Sequence, residues 1–376
     1  MFRIERAAST KSIFDDAAQW NALAGDCPFR ESSWLGSWWN HFGRQEDAYL
    51  LTAKNSNGEL CGILPLHMSS WHRGRLQFIG QGEACSDGLS VLCHPDDAST
   101  IGYEMGHWLA SHADHREDGW NSIDLDGVIA GDQAMIGLLR GLSEGGAWTE
   151  VQSRMHTWFK PTTDSWDDFL VLLGRSRRRT ARQLTAKLID APEFRCTATS
   201  KIEDLPNDLA EMIRLHQARW NAAGERGSFS SEKFRDFIFD AASDFFKRDR
   251  LRLVSLYHRD TLIAAGLQMI AANRALAVYS IGVDMTKPEL NPGNLLNMET
   301  MQHAYEHRLP GVDYLRGDER YKSRLMAKPR RLTRVLVTPG TTMGRVQYAA
   351  RRGTFELTQW LRRKRGSEPI TVLPAL

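Results

Sequence analysis

Two stretches of this chain carry the same succession of patterns, and that repetition constrains the fold more than any single motif. In the first, Ala48–Ala53 reads as a strand, Asn57-Gly58 as a tight turn, Glu59–His67 as the returning strand and Arg75–Ile79 as a third. An irregular loop from Gly80 to Gly88 leads to a helix expected to begin near Pro95-Asp96-Asp97, with Ile101, Met105, Trp108 and Leu109 at helical spacing. Ser122–Val128 closes this unit as a strand. In the second stretch, Leu251–His258, Leu262–Ile270 and Ala275–Gly282 form a meander. A loop rich in Pro and Asn then opens a helix near Pro292, with Leu295, Met298, Met301 and Tyr305 as its buried stripe. Pro310-Gly311 ends that helix and Val312–Leu315 follows as a strand. Each half reads β-β-β-loop-α-β, so we expect an α+β fold built by internal duplication.

A length of 376 residues accommodates two domains. The polar stretch Lys160-Pro161-Thr162-Thr163, broken by proline, marks the expected boundary. The expected organisation is a first domain over 1–160, a second over 161–340 and a basic tail over 341–376. Trp166–Ile189 reads as one long amphipathic helix, with Phe169, Leu172, Leu173, Leu184 and Leu188 on one face and arginines on the other. Helices over Asp208–Trp220 and Ser231–Phe246 lead into the second sheet. The tail from Gly340 to Arg365 reads as a basic helix or two on the outside.

Charge and cysteine usage exclude several classes. The net charge is +2, too small an excess for a nucleic-acid-binding domain, so no DNA partner is expected. Basic residues do crowd two places. Those of the C-terminal tail read as a solvated face. Arg175, Arg177, Arg178, Arg179, Arg182 and Lys187 fit either a solvated face or an attractor for an anionic ligand. Five scattered cysteines (27, 61, 85, 93, 196) form no CxxC pair, which argues against a disulfide framework and a zinc site. Most of the twelve tryptophans, including Trp34, Trp38, Trp39, Trp71, Trp108, Trp120 and Trp148, fall in the first 150 residues and suit an aromatic-rich core or cleft. The stretch MFRIERAASTKS lacks the apolar run of a secretory signal, and Leu262 to Tyr279 is interrupted by Gln268, Asn273 and Arg274. A cytoplasmic protein without a membrane span is expected. His112 and His115 lack partners at ligand spacing, Gly141, Gly145 and Gly146 read as a helix end, and no HExxH, GxSxG or phosphate-binding P-loop occurs.

Two local features can carry chemistry. In Asn291-Pro292-Gly293-Asn294-Leu295, Asn291 suits an N-cap, Pro292 suits a first turn, and Gly293 leaves the backbone bare for a phosphate at the positive end of the helix dipole. A well-capped helix with no ligand fits the same residues. The corresponding helix of the first half opens on Asp96 and Asp97, whose carboxylates would repel an anion. The second feature is Gly317-Asp318-Glu319-Arg320-Tyr321-Lys322, after the last strand of the second half. Two carboxylates, a phenol and an ammonium there can supply an acid–base pair, or simply a surface turn with ion pairs.

Over nearly its whole length the chain resembles the CelD-like acetyltransferases of cellulose and exopolysaccharide loci, members of the GNAT superfamily akin to the FemAB peptidyltransferases. The resemblance rests in the first half on Cys27-Pro28-Phe29 with Trp34 and Trp39, on Gly62-Ile63-Leu64-Pro65-Leu66, and on Phe78-Ile79-Gly80 with Asp87 beyond. In the second half it rests on the arginine-rich helix, His216 to Trp220, Asn291-Pro292-Gly293, and the run from Asp313 to Lys322. The chain departs from the superfamily in lacking its Arg/Gln-x-x-Gly-x-Gly/Ala loop, and in having Ser323-Arg324-Leu325 where an aromatic often follows Tyr-Lys.

The resemblance implies tandem GNAT-like domains, each a mixed and mostly antiparallel sheet flanked by helices. It further implies acetyl-CoA or another acyl-CoA as co-substrate, no metal, and an amine or hydroxyl of a sugar or polysaccharide precursor as acceptor. The donor is expected on Asn291, Pro292, Gly293, Asn294 and Leu295. Asp318 or Glu319 is the expected base, Tyr321 the acid to the leaving thiolate, and Lys322 the group positioning an anion. A cleft between the halves would take the acceptor near Trp34, Asp87, Arg219 and Trp220. The alternatives are a FemAB-like transferase drawing on aminoacyl-tRNA, with tRNA a lesser candidate partner, and a non-catalytic polysaccharide-assembly factor.

Overall fold

The computed structural model describes residues 2–7, 14, 16–70, 72–365, 367–374 and 376. Trp71 and part of the stretch MFRIERAASTKS lie outside the described residues. The chain divides into two compact units, Met1–Met155 with Arg331–Leu376, and His156–Arg330.

In the first unit, Arg3–Arg6, Ala48–Lys54, Leu60–Met68 and Arg75–Phe78 pair antiparallel in that order. Arg75–Phe78 then runs parallel to Ser122–Ile129, which pairs antiparallel with the strand Lys328–Thr338. The tight turn at Asn57-Gly58 holds, with Gly58 at φ 82°. Pro95–Asp97 forms a 3-10 turn and the α-helix starts at Ala98. That helix, Ala98–Ser111, packs on Gln133–Glu144. Gly141 therefore lies inside a helix rather than ending one: a Cβ on it would sit 2.1 Å from the Tyr103 carbonyl. Trp20, Trp34, Tyr49 and Phe78 are core residues of this unit.

In the second unit, Phe194–Ala198, Leu251–His258, Thr261–Ile270 and Leu276–Val283 form an antiparallel meander. Leu276–Val283 next runs parallel to Gly311–Arg316, which pairs antiparallel with the end of the strand Trp148–Pro161. The α+β class expected from the duplicated pattern, and the mixed, mostly antiparallel sheets flanked by helices that the resemblance implied, are what is observed. One helix is corrected. The expected Trp166–Ile189 helix is two, Trp166–Leu172 and Arg175–Asp190. The Arg178 guanidinium donates to the carbonyls of Val171 and Leu173, closing the first helix just before Gly174.

The helix Pro292–Glu306 lies on this sheet with Leu295, Leu296 and Met301 in a core shared with Phe169, Leu256 and Ile263. A buried polar pair fixes its position: Gln268 Nε2 donates to Thr300 Oγ1 at 2.9 Å. Arg252 donates to both Gln268 Oε1 and the Glu299 carboxylate. Because every member of this network is satisfied, it pins the helix without the cost of an orphaned group.

Candidate active site

The ladder between the parallel strands Leu276–Val283 and Gly311–Arg316 has two registered pairs, Leu276 with Val312 and Ala277 with Asp313. Beyond them the strands diverge around a pocket of about 420 Å³. Val278, Tyr279 and Ser280 line it from one strand, Tyr314 and Arg316 from the other. The divergence has a local cause. Asp313 Oδ1 accepts from the Leu315 backbone N–H at 3.0 Å and from Thr157 Oγ1 at 3.1 Å. Leu315 takes a left-handed φ of 54°, and the register with the neighbouring antiparallel strand shifts between Asp313 and Arg316. An irregularity of this kind bends its strand and re-aims its side chains.

The helix start at Asn291 closes one side of the pocket, where Asn291, Gly293 and Asn294 are lining residues. Asn291 occupies the N-cap position with φ 56°, but its side chain does not cap: Oδ1 accepts from Asn294 Nδ2 at 2.7 Å. No acidic residue occupies the first turn. The positive end of the helix dipole is therefore not neutralised by its own side chains, which suits an anion. Pro292 and Leu295 are buried beneath this turn as packing residues.

The turn after Arg316 forms the opposite wall. Gly317 has φ 110°, a conformation that only glycine adopts readily, and the Glu319 carboxylate folds within 2.5 Å of where its Cβ would lie. Glu319 lines the pocket, and its Oε2 lies 2.8 Å from Lys322 Nζ. Lys322 is 1% exposed. Its ammonium also donates to the carbonyls of Leu315, Arg316 and Gly317 at 3.1, 2.7 and 3.1 Å, so it holds the irregular strand end in place. Asp318 faces elsewhere: its Oδ1 accepts from Trp158 Nε1 at 3.1 Å and lies 3.1 Å from His156 Nδ1. Of the two carboxylates expected as base, only Glu319 is a lining residue.

Tyr321 and Tyr314 meet edge to face, ring centroids 5.8 Å apart. Burial pushes the Tyr321 phenol above its ordinary range, and the Glu319 charge adds to the shift. Tyr314, which sequence reasoning passed over, is 3% exposed, and its hydroxyl is buried with no hydrogen-bond partner. An unpartnered buried hydroxyl costs stability, and here it belongs to a residue that lines the pocket. Burial lowers His216 to about 4, with the Arg219 charge contributing, so this lining imidazole is neutral at pH 7. Its Nε2 is 3.0 Å from Trp220 Nε1, an indole that can only donate, so the proton sits on Nδ1. Trp220 thus orients His216 from behind the lining, and Arg219 lines the pocket directly.

Trp34 and Asp87 belong to the first unit and do not line this pocket. Trp34 is fully buried and donates from Nε1 to Ser86 Oγ at 2.7 Å. Asp87 is 4% exposed, and its backbone carbonyl accepts from Cys27 Sγ. Among the described residues, no cluster of three or more His, Cys, Asp or Glu could hold a metal ion, and no helix is long and apolar enough to cross a membrane.

Residues 175–323 match the family described as the acetyltransferase (GNAT) domain. No curated protein matches the chain. Among solved structures, the chain is similar to FemX, with 11% identity, TM-score 0.59, and 88% of this chain and 96% of that one covered. It is also similar to a conserved protein of unknown function from Bacteroides thetaiotaomicron, with 12% identity, TM-score 0.54 and coverage of 90% and 100%. A third likeness is to the C-terminal domain of a putative lysylphosphatidylglycerol synthetase from Agrobacterium fabrum, with 11% identity, TM-score 0.53 and coverage of 91% and 96%. At such identities these likenesses concern the fold. The chain carries a GNAT-type acyltransferase domain in its second unit.

Proposed function

With a GNAT-type acyltransferase domain in residues 175–323 as premise, we propose that the protein moves an acetyl or other acyl group from acyl-CoA to an amine or hydroxyl of a sugar or polysaccharide precursor, as a CelD-like enzyme would. The observation that carries this reading is the pocket where two parallel strands diverge beside a helix start free of carboxylates. An extended amide-bearing chain can enter between the two strands where they separate. Its pyrophosphate end meets the turn at Gly293 and Asn294. These residues fit a nucleotide thioester.

The thioester supplies an activated carbonyl and a thiol leaving group; the rest of the chemistry falls to side chains. Glu319 takes the proton of the attacking amine or hydroxyl. The Tyr314 hydroxyl donates to the charge that develops at the reacting centre once the bound donor opens access to it. Tyr321 packs against Tyr314 and sets its orientation. Lys322 keeps the strand end in the shape that presents Tyr314, Arg316 and Glu319 together. His216 and Arg219 face the acceptor.

A second reading, aminoacyl transfer from a tRNA, is favoured by one observation: Arg175, Arg177, Arg179, Arg182 and Lys187 are exposed along one helix. Thermal unfolding with acetyl-CoA, CoA and bulk tRNA separates the two, because a ligand that binds the folded state alone raises its apparent stability. Stabilisation by CoA, followed by thiol release with an amino sugar, supports the acyl-CoA reading. Stabilisation by tRNA alone replaces it with the second.

A further inference from the structure

The helix Thr342–Lys364 packs on its own unit through one face: Trp148 stacks on Tyr348, Arg351 lies 3.8 Å from Glu150, and Gln359 Nε2 donates to the Ile370 carbonyl. The opposite face carries the apolar side chains. Met343, Val346, Ala350, Gly353, Leu357 and Trp360 recur at alternating spacings of three and four, which sets them in one line along the helix. That line is open to solvent, with Val346 64% and Leu357 56% exposed. A surface helix normally turns its apolar stripe toward the protein; this one turns it away.

Charge says what covers the stripe. Between residues 342 and 365 there are seven Arg and Lys against Glu356 alone. Arg345, Arg352 and Arg363 share one flank of the stripe at helical spacing, and Arg362, Lys364 and Arg365 gather at its end. We propose that this helix docks the protein on an anionic lipid surface, lying in the interface with Val346, Leu357 and Trp360 inserted and the arginines on the headgroups. A basic amphipathic helix with Trp and Leu on its apolar side has the composition such a surface selects. A second copy of the same helix is the poorer partner. Antiparallel pairing would bring the two arginine rows together, and in either direction the middle of the stripe offers only Ala350 and Gly353 as knobs.

Co-sedimentation of the full chain with phosphatidylcholine vesicles, with and without phosphatidylglycerol, tests this. The protein should pellet with the anionic vesicles only, and less as salt is raised, because screening weakens the headgroup attraction. Val346→Glu with Leu357→Glu should cut the partitioning at least about tenfold, since two apolar insertions are lost. The thermal midpoint should hold, since the packed face is untouched. Reversal of Arg345, Arg352 and Arg363 to Glu should abolish the lipid preference. Equal pelleting of the Glu double variant would overturn the proposal. So would a wild type that ignores both vesicles, whether it stays monomeric or sediments as a dimer that the double variant splits.

Discussion

The buried ammonium of Lys322 lies 3.1 Å from the carbonyl of Leu315, a residue held at a left-handed φ of 54°. That conformation costs a non-glycine residue about 1–2 kcal/mol. Four acceptors converge on Lys322 Nζ, and three are backbone carbonyls of the bent strand end. Lys322→Met keeps the aliphatic stem and removes the donor, leaving those carbonyls without it. The expected loss is roughly 3 kcal/mol of unfolding free energy, read by chemical denaturation. A loss below about 1 kcal/mol would mean the strand end holds its shape unaided.

Tyr314→Phe should move stability and activity in opposite directions. The hydroxyl it removes is buried and unpartnered, so its loss leaves folding unchanged or improves it by about 1 kcal/mol. Turnover should fall roughly 10²- to 10³-fold, the usual consequence of losing one donor to developing charge. Paired thermal melts and thiol-release rates decide the matter. A destabilised protein with full activity would assign the hydroxyl to packing.

Glu319 and Asp318 should separate. Glu319 lines the pocket, while Asp318 accepts from Trp158 and faces His156. Glu319→Gln is expected to slow the chemical step by about 10²- to 10⁴-fold with donor affinity nearly intact. Asp318→Asn should leave the rate within about twofold, since it breaks only exposed contacts. The reverse pattern would move the base to Asp318.

Gly293→Asp should weaken CoA binding at least about tenfold, because it puts a carboxylate at the helix end proposed for a pyrophosphate. The nearest atom to a Cβ at Gly293 is Val283 Cγ2 at 3.7 Å, so the side chain fits. Calorimetry should find lower affinity and an unchanged melting temperature. Unaltered affinity would remove Gly293 from the donor site.

Acid should destabilise the second unit through His216. Burial lowers its pKa from 6.5 to about 4. Between those values the unfolded chain binds a proton that the folded protein does not. This contribution is therefore complete above 6.5 and lost as pH falls toward 4, at about 1.4 kcal/mol per unit for one group. His216→Gln should flatten the stability profile over that window. His303, lowered to about 3, leaves a residual slope.

The sequence alone determined the meanders, the turn at Asn57-Gly58 and the helix start at Pro292, because each rests on local preference: alternation, turn chemistry, and a proline where no N–H is missed. It also brought the Gly317–Lys322 run to notice. Tertiary structure decided what those residues do. The strand Lys328–Thr338 went unrecognised because its partner, Ser122–Ile129, lies some two hundred residues earlier, and its basic first half reads as surface. The divergence beside Tyr314 depends on the Asp313–Leu315 hydrogen bond and on a parallel neighbour, neither visible in spacing. Lys322 reads as a free cation until three carbonyls are seen around it. Trp34 reads as a cleft residue until its core environment is seen. Local patterns record what a segment prefers, while burial and hydrogen-bond satisfaction depend on what the rest of the chain brings to it.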